Sequence, residues 1–165
     1  MTVIETAPAV RVATPDDALR IINLYHEIYE GTYPDARMTD FAKLRRVLAS
    51  DDYVWIVADD GRAIVGSIVY RVDPVNLLAK VFGGAVLPAY RGHKLTEKLM
   101  VYGTDRLKRL HRPVEVVYAT TRTVLEAPQK LTSNLGYRKL GIFPNVHKTA
   151  EYETHALTAL FSATA

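Results

Sequence analysis

No cysteine occurs among the 165 residues. A disulfide framework, a thiol nucleophile and any cysteine-ligated zinc or iron–sulfur site are therefore excluded. Long hydrophobic runs are missing too. The longest, around Ala63–Tyr70, is about eight residues, against the roughly 20 that span a bilayer. The first ten residues, MTVIETAPAV, carry an acid where a secretory signal needs lysines, and hold no apolar h-region. These absences predict a cytoplasmic protein with no membrane partner. Charge of one sign is scarce as well: 21 Lys and Arg are interleaved with 18 Asp and Glu, a net +3. That balance suits a small polyanionic ligand and argues against nucleic acid as a partner. The histidines have no spacing that argues for a metal site, so no metal is expected.

What is present is an ordinary globular composition, 48% hydrophobic and 24% charged. Its length fits one domain that can hold its own core. Residues 1–9 read as a loose lead-in and 10–165 as a single domain. Val10-Arg11-Val12 alternates as a short strand. Thr14-Pro15-Asp16-Asp17 is a helix start, with Thr at the N-cap and Pro at the first helical position. Ala18, Ile21, Ile22, Tyr25, Ile28 and Tyr29 continue at helical spacing up to Gly31. A second helix is expected from about Thr39, with Phe41, Leu44, Val47 and Leu48 on one face. Three strands then follow at Tyr53–Ala58, Ala63–Val72 and Leu77–Leu87, the first two joined by the turn Asp59-Asp60-Gly61-Arg62. Gly83-Gly84 inside the third predicts a bulge or a close backbone approach. A helix over Lys94–Leu110, a strand over Val114–Thr121, a short helix near Pro128–Leu135 and two strands, Tyr137–Phe143 and Tyr152–Phe161, complete the chain. The order β-α-α-β-β-β-α-β-α-β-β is that of an α+β or mixed α/β domain.

The segment from Ala85 to Leu95 carries the chemistry. A strand ends at Pro88, a short basic loop with one glycine follows, and a helix begins directly after. The first N–H groups of a helix have no partner inside it, and with the helix dipole they favour an anion. Arg91, His93 and Lys94 add charge. On these residues alone two readings stay open: a diphosphate site, or a glycine turn flanked by solvated bases.

Val86-Leu87-Pro88-Ala89-Tyr90-Arg91-Gly92, together with Ile64-Val65-Gly66-Ser67, Leu135-Gly136-Tyr137 and the order of elements, resembles the GNAT superfamily of acyl-CoA-dependent N-acyltransferases over roughly residues 10–160. The resemblance implies a mostly antiparallel mixed α/β sheet of six or seven strands flanked by about four helices. It implies acetyl-CoA or another acyl-CoA as co-substrate, and a small-molecule or peptide amine as acceptor. Pantetheine would lie in an opening between the strand ending at Leu87 and the strand Val114–Thr121, against Ala85, Val86 and Leu87, one of whose backbone N–H groups would hold the oxyanion. The diphosphate would sit on Arg91, Gly92, His93, Lys94, Leu95 and Thr96. Lys94 and Thr96 depart from the family pattern, which has glycine at the first position and glycine or alanine at the second. Gln129 would line the cofactor arm.

The acid and the base are less plain. Relatives with a glutamate base have it where Lys80 stands here, and many have a tyrosine acid where Thr132 stands. Lys80 either reaches solvent or attracts an acidic substrate. Thr132 either packs or offers sulfur a hydrogen bond. Tyr118 and Glu115 are the other catalytic candidates. Tyr29 and Tyr33 are expected at the acceptor, as core or as part of an aromatic surface for a cation. The polar and aromatic stretch from Phe143 to Lys148 would line its other edge. A homodimer is left open.

Overall fold

In the computed structural model, which describes residues 7–148 and 150–162, the alternating and β-branched segments become strands and the segments of 3.6-residue period become helices. In chain order the elements are β1 (Ala9–Val12), α1 (Ala18–Tyr29), α2 (Phe41–Leu48), β2 (Tyr53–Asp59), β3 (Ile64–Asp73), β4 (Leu78–Val86), α3 (Leu95–Lys108), β5 (Val116–Arg122), α4 (Glu126–Asn134), β6 (Arg138–Lys148) and β7 (Tyr152–Phe161). One seven-stranded sheet joins all strands in the order β1-β2-β3-β4-β5-β7-β6. Among the described residues, only β4 and β5 run parallel. This is the mixed, mostly antiparallel sheet with four helices that the resemblance implies. Most of the predicted lead-in, residues 1–6, lies outside the described residues. Ala9 already belongs to β1.

Both faces of the first half of the sheet are covered. On one face Ile56, Ile68, Tyr70 and Val81 pack under α3 through Leu95, Leu99 and Leu107. On the other, Trp55, Val57, Val69 and Ala85 pack under α1 and α2 through Ile21, Leu24, Tyr25 and Leu44. Strands buried on both sides read as near-continuous apolar runs, which is how β2 and β3 look in sequence. Gly103 lets α3 approach the sheet. A Cβ there would lie 2.3 Å from the Tyr70 ring.

Four expectations about the elements are corrected. Pro15–Asp17 is a 3₁₀ turn, and the α-helix starts at Ala18. The Asp17 carboxylate takes the Thr14 N–H at 2.8 Å and also the Arg11 guanidinium, so this first turn is held by a tertiary ion pair. Phe41 is 48% exposed, because α2 is a two-turn helix that buries only Leu44 fully. The strand expected over Tyr137–Phe143 runs on to Lys148, paired with β7 through register shifts between Lys139 and Gly141 and between Phe143 and His147. The strand predicted over Val114–Thr121 begins at Val116, since Val114 packs under the α3 side.

Candidate active site

The parallel pair β4–β5 is short. Leu78, Ala79 and Lys80 face Val116, Val117 and Tyr118, and beyond them the strands have no mutual register. From Val81 onward β4 has an open edge on its β5 side, and so does β5 from Ala119. The bulge predicted at Gly83-Gly84 is present: the β3–β4 register slips between Ser67 and Val69, and Gly83 has φ +66°. A bulge twists a strand away from its neighbour, which is how two strands that begin side by side come apart.

A cleft of about 390 Å³ fills the opening. Gly83 and Gly84 form its β4 wall, Ala119, Thr120 and Thr121 its β5 wall, and Thr96, Met100, Leu131 and Thr132 its helical side. The Thr121 hydroxyl is buried there with no hydrogen-bond partner among the described residues. A buried hydroxyl is seldom left alone, so this one suits a polar atom of a bound molecule. The sequence reading missed Thr121. Its position on the strand that faces the bulge is the only signal that could have found it.

Thr96, in the first turn of α3, borders the cleft, and the loop before α3 leads to it. Gly92 has φ +83°, and Lys94, a non-glycine residue, has φ +56° in the left-handed region. The glycine usual at the Lys94 position is thus a backbone requirement that the lysine meets at a cost of about 1–2 kcal/mol. The turn leads straight into the first residues of α3, whose amides are free of intrahelical partners. Arg91 folds back, its Nε–H donating to the Val86 carbonyl at 3.1 Å. Among the three residues expected to face pantetheine, the Leu87 amide is already bonded to the Val65 carbonyl at 2.9 Å. Strand alternation then turns the Val86 N–H toward the open side.

Behind the bulge lies a buried polar cluster. The Trp55 indole N–H donates to Ser67 Oγ at 2.7 Å, and the Tyr25 hydroxyl donates to the Gly83 carbonyl and lies 3.3 Å from Ser67 Oγ. Tyr25, Tyr29 and Tyr33 form an aromatic trio with centroids 4.7–6.2 Å apart. Burial raises all three phenols, Tyr33 to about 12, so all remain protonated at neutral pH. Arg37 grips the Asp35 carboxylate, donates to the Tyr53 hydroxyl at 2.9 Å and lies 5.1 Å from the Phe82 ring. The Arg37 guanidinium holds the Asp35 carboxyl below its ordinary range.

The catalytic candidates do not meet in one place. Thr132 lines the cleft, but its hydroxyl lies 3.1 Å from both the Pro128 and the Gln129 carbonyl, so its proton is held within its own helix. The Gln129 side-chain amide donates to the Thr123 and Leu125 carbonyls and ties down the β5–α4 link rather than facing the cleft. Tyr118 stands across from Lys80 and lines a different cavity with it. Glu115 precedes β5 at the end opposite the opening, roughly 15–20 Å from Thr121 at a strand's rise per residue. The parallel register that sets Val116 against Leu78 places Glu115 there, and it cannot reach the reacting atoms.

The sequence profile of the acetyltransferase (GNAT) family matches residues 18–137. The chain belongs to that family. No curated protein sequence matches it. Among solved structures it is similar to a ribosomal-protein-alanine N-acetyltransferase of Brucella melitensis, at 18% identity and TM-score 0.79 over 93% of this chain and 99% of that one. It is also similar to a ribosomal-protein-S5-alanine acetyltransferase of Vibrio fischeri, at 16% identity and TM-score 0.78 over 93% and 92%. A Salmonella typhimurium chain solved with its cofactor acetyl-CoA gives 17%, 0.78 and 94% of both. At such identities the likeness is one of fold. Among the described residues no helix is long and apolar enough to cross a membrane.

Proposed function

We propose that the protein transfers an acetyl group from acetyl-CoA to an amine by direct attack within a ternary complex. The observation that carries this reading is the opening between β4 and β5, continuous with the left-handed loop and free amides at the start of α3. The residues present fit the co-substrate. The unpaired Thr121 hydroxyl and the Val86 N–H offer polar partners along the opening, and the loop offers amides and cations to a diphosphate. The bound co-substrate supplies a thioester carbonyl. Val86 N–H is the donor placed to polarise such an oxygen. Tyr25 acts through the backbone, holding the Gly83 carbonyl so that the bulge keeps its shape. Tyr29 and Tyr33 stay neutral and present ring faces and O–H donors to an arriving amine. The amine enters as free base and attacks the thioester carbon. The C–S bond breaks, and the proton the amine gives up passes through water on the open face to the departing CoA thiolate, since Thr132 and Asp35 are both engaged.

A second reading, an acyl-CoA-binding module without turnover, is favoured by the engaged Thr132 hydroxyl and by Lys80 where relatives carry glutamate. One experiment separates the two. CoA should raise the melting temperature, because it binds the native state alone. Release of free CoA from acetyl-CoA, tested against an amine panel, should then rise with acceptor. A melting shift without any acceptor-dependent release selects the second reading. No shift at millimolar CoA overturns both.

A further inference from the structure

One row of side chains crosses the sheet beneath the cleft. Tyr53 on β2 stands opposite Arg71 on β3, Arg71 opposite Lys80 on β4, and Lys80 opposite Tyr118 on β5. All four line one cavity of about 470 Å³, on the same face of the sheet as Phe82 and the α1–α2 packing. Two like charges directly opposite on neighbouring strands repel each other. Neither Arg71 nor Lys80 forms an ion pair within the described residues. The acids nearby do not neutralise them. Asp73 feels the charge of Arg71, but its carboxylate closes its own turn, accepting from Val75 N at 3.1 Å, Asn76 N at 3.0 Å and Asn76 Nδ2 at 2.8 Å. Asp52 is exposed, at the edge of the cavity. A paired guanidinium and ammonium flanked by two phenols, in a concave site, matches a carboxylate.

The spacing along β4 ties this site to the cleft. Lys80 precedes Gly83 by three residues, about 10 Å at a strand's rise. Phe82 lies between them on the same face and packs with the α1–α2 side. A molecule extended along this face would hold its amine at the bulge and its acid at the cation pair.

We propose that the acceptor is an amine carrying a carboxylate roughly 10 Å from its nitrogen, and that Arg71 and Lys80 bind that carboxylate. This rests on the cleft being the transfer site, so the test has one arm that does not need turnover. In that arm, 8-aminooctanoate is titrated calorimetrically into the CoA-saturated protein. Wild type should bind it at least tenfold more tightly than Lys80→Met, which keeps the aliphatic stem and loses the charge, and than Arg71→Gln. Equal affinity in all three overturns the proposal whatever the fate of the transferase reading. The second arm compares kcat/KM for 8-aminooctanoate against octylamine, and for the peptide amide Ser-Ala-Glu against Ser-Ala-Gln. A preference of tenfold or more for the acid, expressed in KM and reduced to within threefold in Lys80→Met, supports the proposal. The pair that shows it tells whether the acid sits on a small molecule or a peptide. Equal use of acid and neutral partners overturns it while leaving acetyl transfer intact.

Discussion

The two halves of the sheet are built differently. β2 and β3 lie between helices on both faces, and residues 54–58 and 64–70 are buried without a break. From β5 outward, one face is open and β6 is exposed along its whole length, with Leu140, Ile142, Phe143 and Val146 in solvent. The seam between the halves is the β4 bulge. The closed half supplies rigidity, so that a strand edge can be held open at the seam without a partner. In the function proposed above, the transfer site lies at this seam, where closed packing meets open sheet.

That contrast can be broken at both ends with one kind of change. Gly103→Val should cost about 3 kcal/mol, because the side chain meets the Tyr70 ring in the closed half. Gly141→Val on β6 meets nothing within 4 Å and should change stability by no more than about 0.5 kcal/mol. Denaturant titration of both variants checks the pair. Similar losses would mean that the halves are packed alike.

The closed half is also tied at its outer edge by ions. Asp59 takes Arg11 at 2.8 Å and Arg20 at 2.7 Å, and Asp17 takes Arg11 at 2.7 Å. The arginines hold both carboxyls below the ordinary 3.8. A carboxyl with a lowered folded pKa binds its proton more readily in the unfolded chain. The stability it contributes is therefore complete above that ordinary value and is lost as pH falls through and below it. Asp59→Asn should cost about 2 kcal/mol at pH 7, less than a fully buried pair because the guanidiniums are a third exposed. Its melting temperature should fall less steeply than that of wild type between pH 5 and 2, which a series of thermal melts would show. An equal slope would remove the network from the acid response.

Effects at the seam should be smaller on stability and larger on rate. Tyr25→Phe leaves the Gly83 carbonyl without its donor, a cost of about 1–2 kcal/mol. It should lower kcat for acetyl transfer while leaving CoA affinity within threefold. A loss confined to CoA binding would mean that the bulge shapes the cofactor arm instead. Thr132→Ala should slow turnover tenfold or less, since its proton is engaged within α4 and one factor of ten is about 1.4 kcal/mol. A thousandfold loss would make the hydroxyl a catalytic group after all. Lys94→Gly goes the other way: it relieves a left-handed lysine and should gain about 0.5–1 kcal/mol with CoA bound at least as tightly. Weaker binding would show that the ammonium, rather than the loop shape, meets the diphosphate.

Much of this architecture is legible along the chain because it is local. Alternation marked β1, β-branched and aromatic runs marked β2 and β3, Asp59 to Arg62 marked the hairpin, and Gly83-Gly84 marked the bulge. The last described strand pair was harder to read. Pro144 and Asn145 look like a stop, but pairing with β7 carries β6 past them with a register shift. The loop before α3 was legible only in part: Gly92 betrays its positive φ by its residue type, but Lys94, equally left-handed, does not. The acid–base groups were not. Whether Thr132, Tyr118 and Glu115 meet depends on where β5 starts against β4, and that register is a tertiary fact.

By itself, then, the sequence determined the order of elements, the family, and the loop at the start of α3, since each rests on contacts or conformations within a few residues. Only the tertiary structure decided that the Thr121 hydroxyl is alone in the cleft and that Gln129 and Thr132 are tied to their own segment. It also set Tyr118 beside Lys80, 38 residues further on. The Arg71–Lys80 pairing belongs to a hairpin and follows from its turn, but the parallel β4–β5 register joins strands separated by a whole helix and follows from how the sheet shares its faces with the helices, which no local pattern encodes.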